Sequence, residues 1–138
     1  MIRLRADQLA QIRTAAERAY PEECCGLLVG HGSDVLEVTR VVESPNIRRD
    51  RARDRFEVDP KIRLAVERAV RGTSERLVGH YHSHPDHPAR PSEIDRSMAF
   101  EPELVWVIVG VGAAGVLDIR AYKLREADAD FVAIDLVS

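Results

Sequence analysis

The chain has 138 residues, 45% of them hydrophobic and 31% charged, with a formal net charge of −3. That length suits one domain able to bury ~68% of the surface of its unfolded chain. The mild acidity leaves no electrostatic footprint for nucleic acid, and no apolar run approaches the ~20 residues of a membrane span. Neither nucleic acid nor membrane is expected as a partner. Met1-Ile2-Arg3-Leu4-Arg5 carries charge too early, and too short an apolar run, for a signal peptide. The only cysteines are Cys24 and Cys25. Neighbouring Cα atoms lie ~3.8 Å apart, below the ~4.4–6.8 Å usual for a disulfide. A reduced, cytoplasmic setting is the expectation.

In chain order, Leu9, Ile12, Ala16 and Ala19 recur with a helical period over Asp7 to Tyr20, and Pro21 stops the run. Cys24 to Gly30 reads as a short buried strand. Across the His31-Gly32-Ser33-Asp34 turn, Val35 to Glu43 alternates like a second. Pro45 to Arg55 is a polar loop with five arginines, interleaved with Asp50 and Asp54, and a solvated loop is its default reading. Phe56-Glu57-Val58 suits a short strand. Asp59 then caps a helix with Pro60 in its first turn and Ile62, Val66, Ala69 and Val70 on one side, ending at Gly72.

Leu77 to His84 reads as a strand, Pro91-Ser92 opens a short helix, and the nearly continuous apolar run Leu104 to Val111 belongs inside a sheet. Leu117 to Leu124 and Phe131 to Val137 complete the strands. Gly110-Val-Gly112-Ala-Ala-Gly115 matches a dinucleotide fingerprint, but the alternating residues after it predict a strand where that motif needs a helix. A glycine-rich hairpin loop is the better reading. The element order predicts one α+β domain with helices packed on a mixed sheet.

Chemistry concentrates in Gly79-His80-Tyr81-His82-Ser83-His84-Pro85 and Pro91-Ser92-Glu93-Ile94-Asp95. Residues two apart on a strand share a face and lie ~7 Å apart, so two imidazoles can reach one ion. His80 and His84 would stand ~13 Å apart along a strand, too far for one ion. The ligand pair is therefore His80/His82 or His82/His84, and the second adjoins the loop and helix start that can bring a third ligand. Two histidines and a carboxylate leave a zinc ion an open position, which is how a hydrolytic site is built. Ser92-x-x-Asp95 is also a capping-box pattern, and that geometry turns Asp95 back toward the arriving histidine loop. Cys24 and Cys25 point to opposite faces and read as buried structural residues.

His82-Ser83-His84-Pro85, six residues, Ser92, two residues and Asp95 resembles the signature of the JAMM (MPN-plus) metallopeptidases. That family also carries a glutamate three residues before a glycine on an early strand. Glu23-Cys24-Cys25-Gly26-Leu27-Leu28-Val29-Gly30 matches this element, with Glu22 the neighbouring competitor. The resemblance implies a single MPN-like domain over residues 1–138 and zinc held by His82, His84 and Asp95. It implies that Glu23 moves the proton of the attacking water and that Ser92 stabilises the oxyanion. It further implies a peptidase or isopeptidase cutting after the Gly-Gly tail of a ubiquitin-like protein. For so short a chain, the implied substrate is a small β-grasp sulfur-carrier protein.

Three rival readings accompany this one. An inert MPN scaffold would bind partners without turnover, but such members usually lose motif residues and none is lost here. A RadC-like DNA-associated domain shares the motif spacing but normally carries an extra helical region and sits poorly with the acidic balance. A small-molecule zinc hydrolase would call for a deep closed pocket rather than an open groove.

Overall fold

Leu28 and Val29 on one strand and Val105 to Val109 on another are fully buried, and they form inner parts of one β-sheet in the computed structural model. The structure describes residues 1–48, 50, 52–125 and 130–138. The elements are β1 (Ile2–Arg3), α1 (Ala6–Ala19), β2 (Cys25–His31), β3 (Leu36–Ser44), α2 (Pro60–Val70), β4 (Arg76–Pro85), α3 (Glu93–Ser97), β5 (Val105–Gly112), β6 (Gly115–Arg125), β7 (Asp130–Ile134) and β8 (Leu136–Val137). Across the sheet the strand order is β7-β6-β5-β4-β2-β3-β1-β8. β4 runs parallel to β5, and β1 runs parallel to β3 and β8, while the other neighbours are antiparallel. The class is α+β with a mixed sheet, as the element order predicted.

The last strand departs from its sequence reading. Phe131 to Val137 is not one strand but two, and Asp135 alone separates β7 from β8 at the opposite margin of the sheet. The sheet therefore curls until its margins meet at one stretch of chain. The amides of Ile2 and Leu4 donate to the carbonyls of Asp135 and Val137, both at 2.9 Å. β1 itself escaped the sequence reading because two residues carry no periodicity.

The two faces of the sheet have different partners. On one face, Ile12 and Ala16 of α1 pack against Leu28, Tyr81, Val105, Val107 and Val109 in the main core. On the other, Val66 of α2 covers Leu27 and Val29. Asp59 caps α2 as expected, its Oδ1 accepting from the Lys61 amide at 2.9 Å. Arg63 then forks onto Glu101 at 2.5 and 2.6 Å and ties α2 to the segment after α3. β5 and β6 form the glycine-rich hairpin, and strand rather than helix follows Gly115. Phe56 to Val58 forms no strand of its own, only an isolated bridge between Asn46 and Val58.

Candidate metal centre and active-site cleft

β4 puts His80, His82 and His84 on the sheet face away from α1, with Cys25 of β2 opposite His82 and Trp106, Ile108 and Gly110 of β5 opposite the three histidines in turn. α3 reaches this face from its N-terminus. Ser92 Oγ accepts from the Asp95 amide at 3.0 Å, and the Ser92 amide donates to Asp95 Oδ2 at 2.9 Å. The capping box is therefore real, and the same box aims the Asp95 carboxylate at the histidines. The helix-capping and ligand readings are one geometry.

His82 Nε2 lies 3.1 Å from His84 Nε2 and 3.2 Å from Asp95 Oδ1, and His84 Nε2 lies 3.0 Å from Asp95 Oδ2. Those separations match the ~3.3 Å edges of a tetrahedron drawn around a cation with ~2.0–2.1 Å bonds. His84 Nδ1 faces the Pro88 carbonyl at 3.3 Å. A carbonyl only accepts, so the proton sits on Nδ1 and the Nε2 lone pair is bare. That lone pair points at a carboxylate oxygen already bonded to the Ser92 amide. Converging lone pairs of this kind fit a metal ion, and among the described residues this trio is the group able to hold one.

Electrostatics agree with that fit. Burial holds His82 below the ordinary imidazole range, as the neutral form a metal ligand needs. Burial works against the Asp95 carboxylate, and it is positive charge and donated protons at His82 and His84, the place a cation would take, that hold its carboxyl well below the usual range. His80 is not part of the trio. Its ring packs against Trp106 (centroids 4.3 Å apart), and burial pushes its pKa down to about 3.

Glu23 precedes β2, and its backbone is clamped from the arginine-rich loop. Its amide donates to the Ala52 carbonyl at 2.6 Å and its carbonyl accepts from Asn46 Nδ2 at 3.1 Å. Its Oε1 is buried with no protein hydrogen-bond partner among the described residues. Burial, then the charges of Asp95 and Asp54, raise its pKa to about 9. Glu22, the sequence competitor, is exposed and does not line the cleft. Gly26 keeps the strand pair close, since a Cβ there would stand 2.3 Å from the Tyr81 ring. Ser83, on the same face as Tyr81, accepts from the Cys24 amide at 2.8 Å and joins β4 to the start of β2.

Glu23, His84 and Ser92 meet on an open cleft of about 640 Å³ whose wall also includes Arg53, Arg90 and Tyr122. Two contributors had no signal in the sequence. Phe56 stacks on His82, and Asn46 holds both the Glu23 carbonyl and the Arg55 carbonyl through Nδ2. Asn46 comes from the segment read as a solvated loop, and Phe56 from the short strand read just after it. The burial of Ala52 corrects the solvated-loop reading. Arg49 and Arg51 of the run lie outside the described residues.

The family model for prokaryotic homologs of the JAB domain matches residues 5–125. The chain belongs to this JAB/MPN family. It is 32% identical over 126 residues to the CysO-cysteine peptidase of Mycobacterium tuberculosis (strain ATCC 25618 / H37Rv), covering 88% of this chain and 81% of that protein. It is 34% identical over 100 residues to the desampylase of Haloferax volcanii, covering 72% of this chain and 70% of that one. A solution structure of a Desulfitobacterium hafniense protein superposes with a TM-score of 0.84 at 29% identity, over 99% of this chain and 92% of the other. No helix among the described residues is long and apolar enough to cross a membrane.

Proposed function

We propose that the chain is a zinc-dependent peptidase or isopeptidase that hydrolyses the bond after the Gly-Gly tail of a small ubiquitin-like sulfur-carrier protein. The observation that carries this reading is the buried His82–His84–Asp95 trio, 3.0–3.2 Å apart, whose His84 lines the same cleft as Glu23, with Glu23 Oε1 buried and without a protein hydrogen-bond partner among the described residues. The relatives named as a CysO-cysteine peptidase and a desampylase support the same reaction class. The open cleft supports a protein tail over a small molecule as substrate. The two free, buried cysteines support a cytoplasmic setting.

His82, His84 and Asp95 would hold the zinc ion, a donor set of nitrogens and oxygen that suits it. When bound, zinc supplies a Lewis acid that polarises a carbonyl and acidifies water. Glu23 would take the proton of the attacking water as its carboxylate, the positive charge of a cation held by the trio bringing its raised pKa down, and would then pass that proton to the leaving amine. Ser92 Oγ accepts from the Asp95 amide, so its own proton is free to donate to the developing oxyanion in the cleft. The Ser92–Asp95 box thus orients the ligand and the donor together.

The test is to incubate the zinc-loaded protein with sulfur carriers extended beyond Gly-Gly and read intact masses. Release of a carrier ending in Gly-Gly, lost in Glu23→Gln and on chelation, is the expected result. Uncut carriers from several β-grasp subfamilies, with stoichiometric zinc bound, would remove the carrier-processing reading.

A further inference from the structure

The loop that joins the two halves of the metal centre, Pro85 to Pro91, is held by a strand that contributes nothing to the centre itself. Ala89 is fully buried at the middle of this loop. The hydroxyl of Tyr122 on β6 donates to the Ala89 carbonyl at 2.6 Å, and the Ala89 amide donates to Asp118 Oδ1, also on β6, at 3.2 Å. Both backbone polar groups of one residue are therefore gripped from the same strand, two turns of the pleat apart. The residue immediately before it, Pro88, offers the carbonyl that faces His84 Nδ1 at 3.3 Å.

The glycine run that imitates a dinucleotide fingerprint has a use here. Gly110 stands opposite His84 in the β4–β5 register. A Cβ on Gly110 would come within 2.6 Å of Asp118 Oδ1, 2.9 Å of the His87 carbonyl and 3.1 Å of the Ala89 amide. The missing side chain leaves the space in which the loop folds back onto the sheet to meet Asp118. The base of the loop is tied as well, with the Asp86 amide donating to the Val111 carbonyl at 2.7 Å and Tyr20 Oη donating to Asp86 Oδ1 at 2.7 Å.

We infer that Tyr122 and Asp118 are positioning residues for His84. They fix Ala89 from both sides, hold the adjacent Pro88 carbonyl against His84 Nδ1, and so set the tautomer and ring orientation that present a bare Nε2 to the metal. A carbonyl or carboxylate behind a ligating histidine orients the ring and tunes its basicity. Here that partner is a loop carbonyl, which alone is movable, and β6 supplies the rigidity. The inference rests on the metal site proposed above.

The experiment uses the full chain and reads metal rather than turnover. Zinc affinity is measured by chelator competition, and the ligand field by the visible absorption of the cobalt(II)-substituted protein. Tyr122→Phe deletes only the hydroxyl and is expected to weaken zinc by about 10–100-fold and to shift or broaden the cobalt bands. Asp118→Ala is expected to act in the same direction, and Asp118→Asn, which keeps an acceptor for the Ala89 amide, to restore most of the affinity. Wild-type affinity and an unchanged cobalt spectrum in both Tyr122→Phe and Asp118→Ala would overturn the clamp while leaving the metal site standing. A wild-type protein that binds neither metal would remove the metal site and the clamp together. If Tyr122→Phe does not fold, the Asp118→Ala and Asp118→Asn pair decides, since Asp118 is partly exposed on the strand.

Discussion

The ring of Phe56 lies nearly parallel to the imidazole of His82, with centroids 4.2 Å apart and 14° between the planes. His82 Nδ1 has no hydrogen-bond partner among the described residues, so on the side away from Asp95 packing rather than a polar contact backs this ring. A flat aromatic contact contributes about 0.5–1.5 kcal/mol beyond its buried area. Phe56→Leu, which keeps the bulk and loses the flat face, should weaken metal binding by about 2- to 10-fold, as read by chelator competition. Undiminished affinity would show that β4 alone fixes His82.

Purified protein should carry about one zinc ion per chain. His82→Ala, His84→Ala and Asp95→Ala should each lose it, with hydrolysis. His80→Ala should keep the metal, because its ring packs on Trp106 and is no member of the trio. Elemental analysis of the purified variants decides, and stoichiometric zinc in His84→Ala would undo the ligand assignment.

Glu23→Gln should retain fold and metal while losing turnover, because an amide cannot take a proton from water. Glu22→Gln should turn over normally, since that side chain is exposed and away from the cleft. Ser92→Ala should slow the reaction by about 10²-fold or more if its hydroxyl meets the oxyanion. Lost thermal stability with unchanged turnover per folded molecule would leave Ser92 as the α3 cap alone.

Arg53 lines the cleft, and with Arg49 and Arg51 it belongs to the arginine-rich run between β3 and α2, a segment we propose meets the carrier. Replacing the three with serine should slow processing of an intact carrier by roughly tenfold at low salt and less at high salt, through association. Cleavage of a short peptide spanning the same bond should change little. Stopped-flow or progress-curve comparison of the two substrates separates the cases, and equal losses on both would argue against docking.

Burial raises the thiol of Cys24 to about 11 and that of Cys25 to about 12, from an ordinary value of 9.0. At pH 8 both should resist iodoacetamide in the folded protein and react on unfolding, because the thiolate is the nucleophile. The linked effect on stability has a definite sign. A raised folded-state pKa means the unfolded chain releases these protons first, so stability is unaffected below about pH 9 and falls as pH rises from there toward 12. Denaturant titrations at pH 8 and 10.5, against a Cys24→Ala/Cys25→Ala variant, should show the wild type losing more.

How much of this was open to sequence reading depended on distance along the chain. His82 and His84 are legible because a strand returns every second residue to one face, and Asp95 because a capping box has only one way to point its acid. Glu23 is legible through the family resemblance, in which the glycine three residues on has a physical reason in the Tyr81 ring. Phe56, Asn46 and Tyr122 had no such signal. Their roles come from where a loop and a distant strand land after folding, and neither period nor spacing encodes that. The division of residues 130–137 between two margins was hidden for the same reason, since an alternating strand reads alike whichever neighbour it pairs with.

The meeting of the sheet margins has a consequence for how the molecule assembles. Ile2 pairs with Leu136, so the seam that completes the sheet joins residues very far apart along the chain. Closing so long a loop carries a large entropic cost before any contact rewards it, which makes this seam a late event in folding. During synthesis α1 can collapse onto β2–β5, but β1 must wait with one side unpaired until Leu136 and Val137 have been made. That interval is when the nascent chain has an open strand edge to offer another copy of itself.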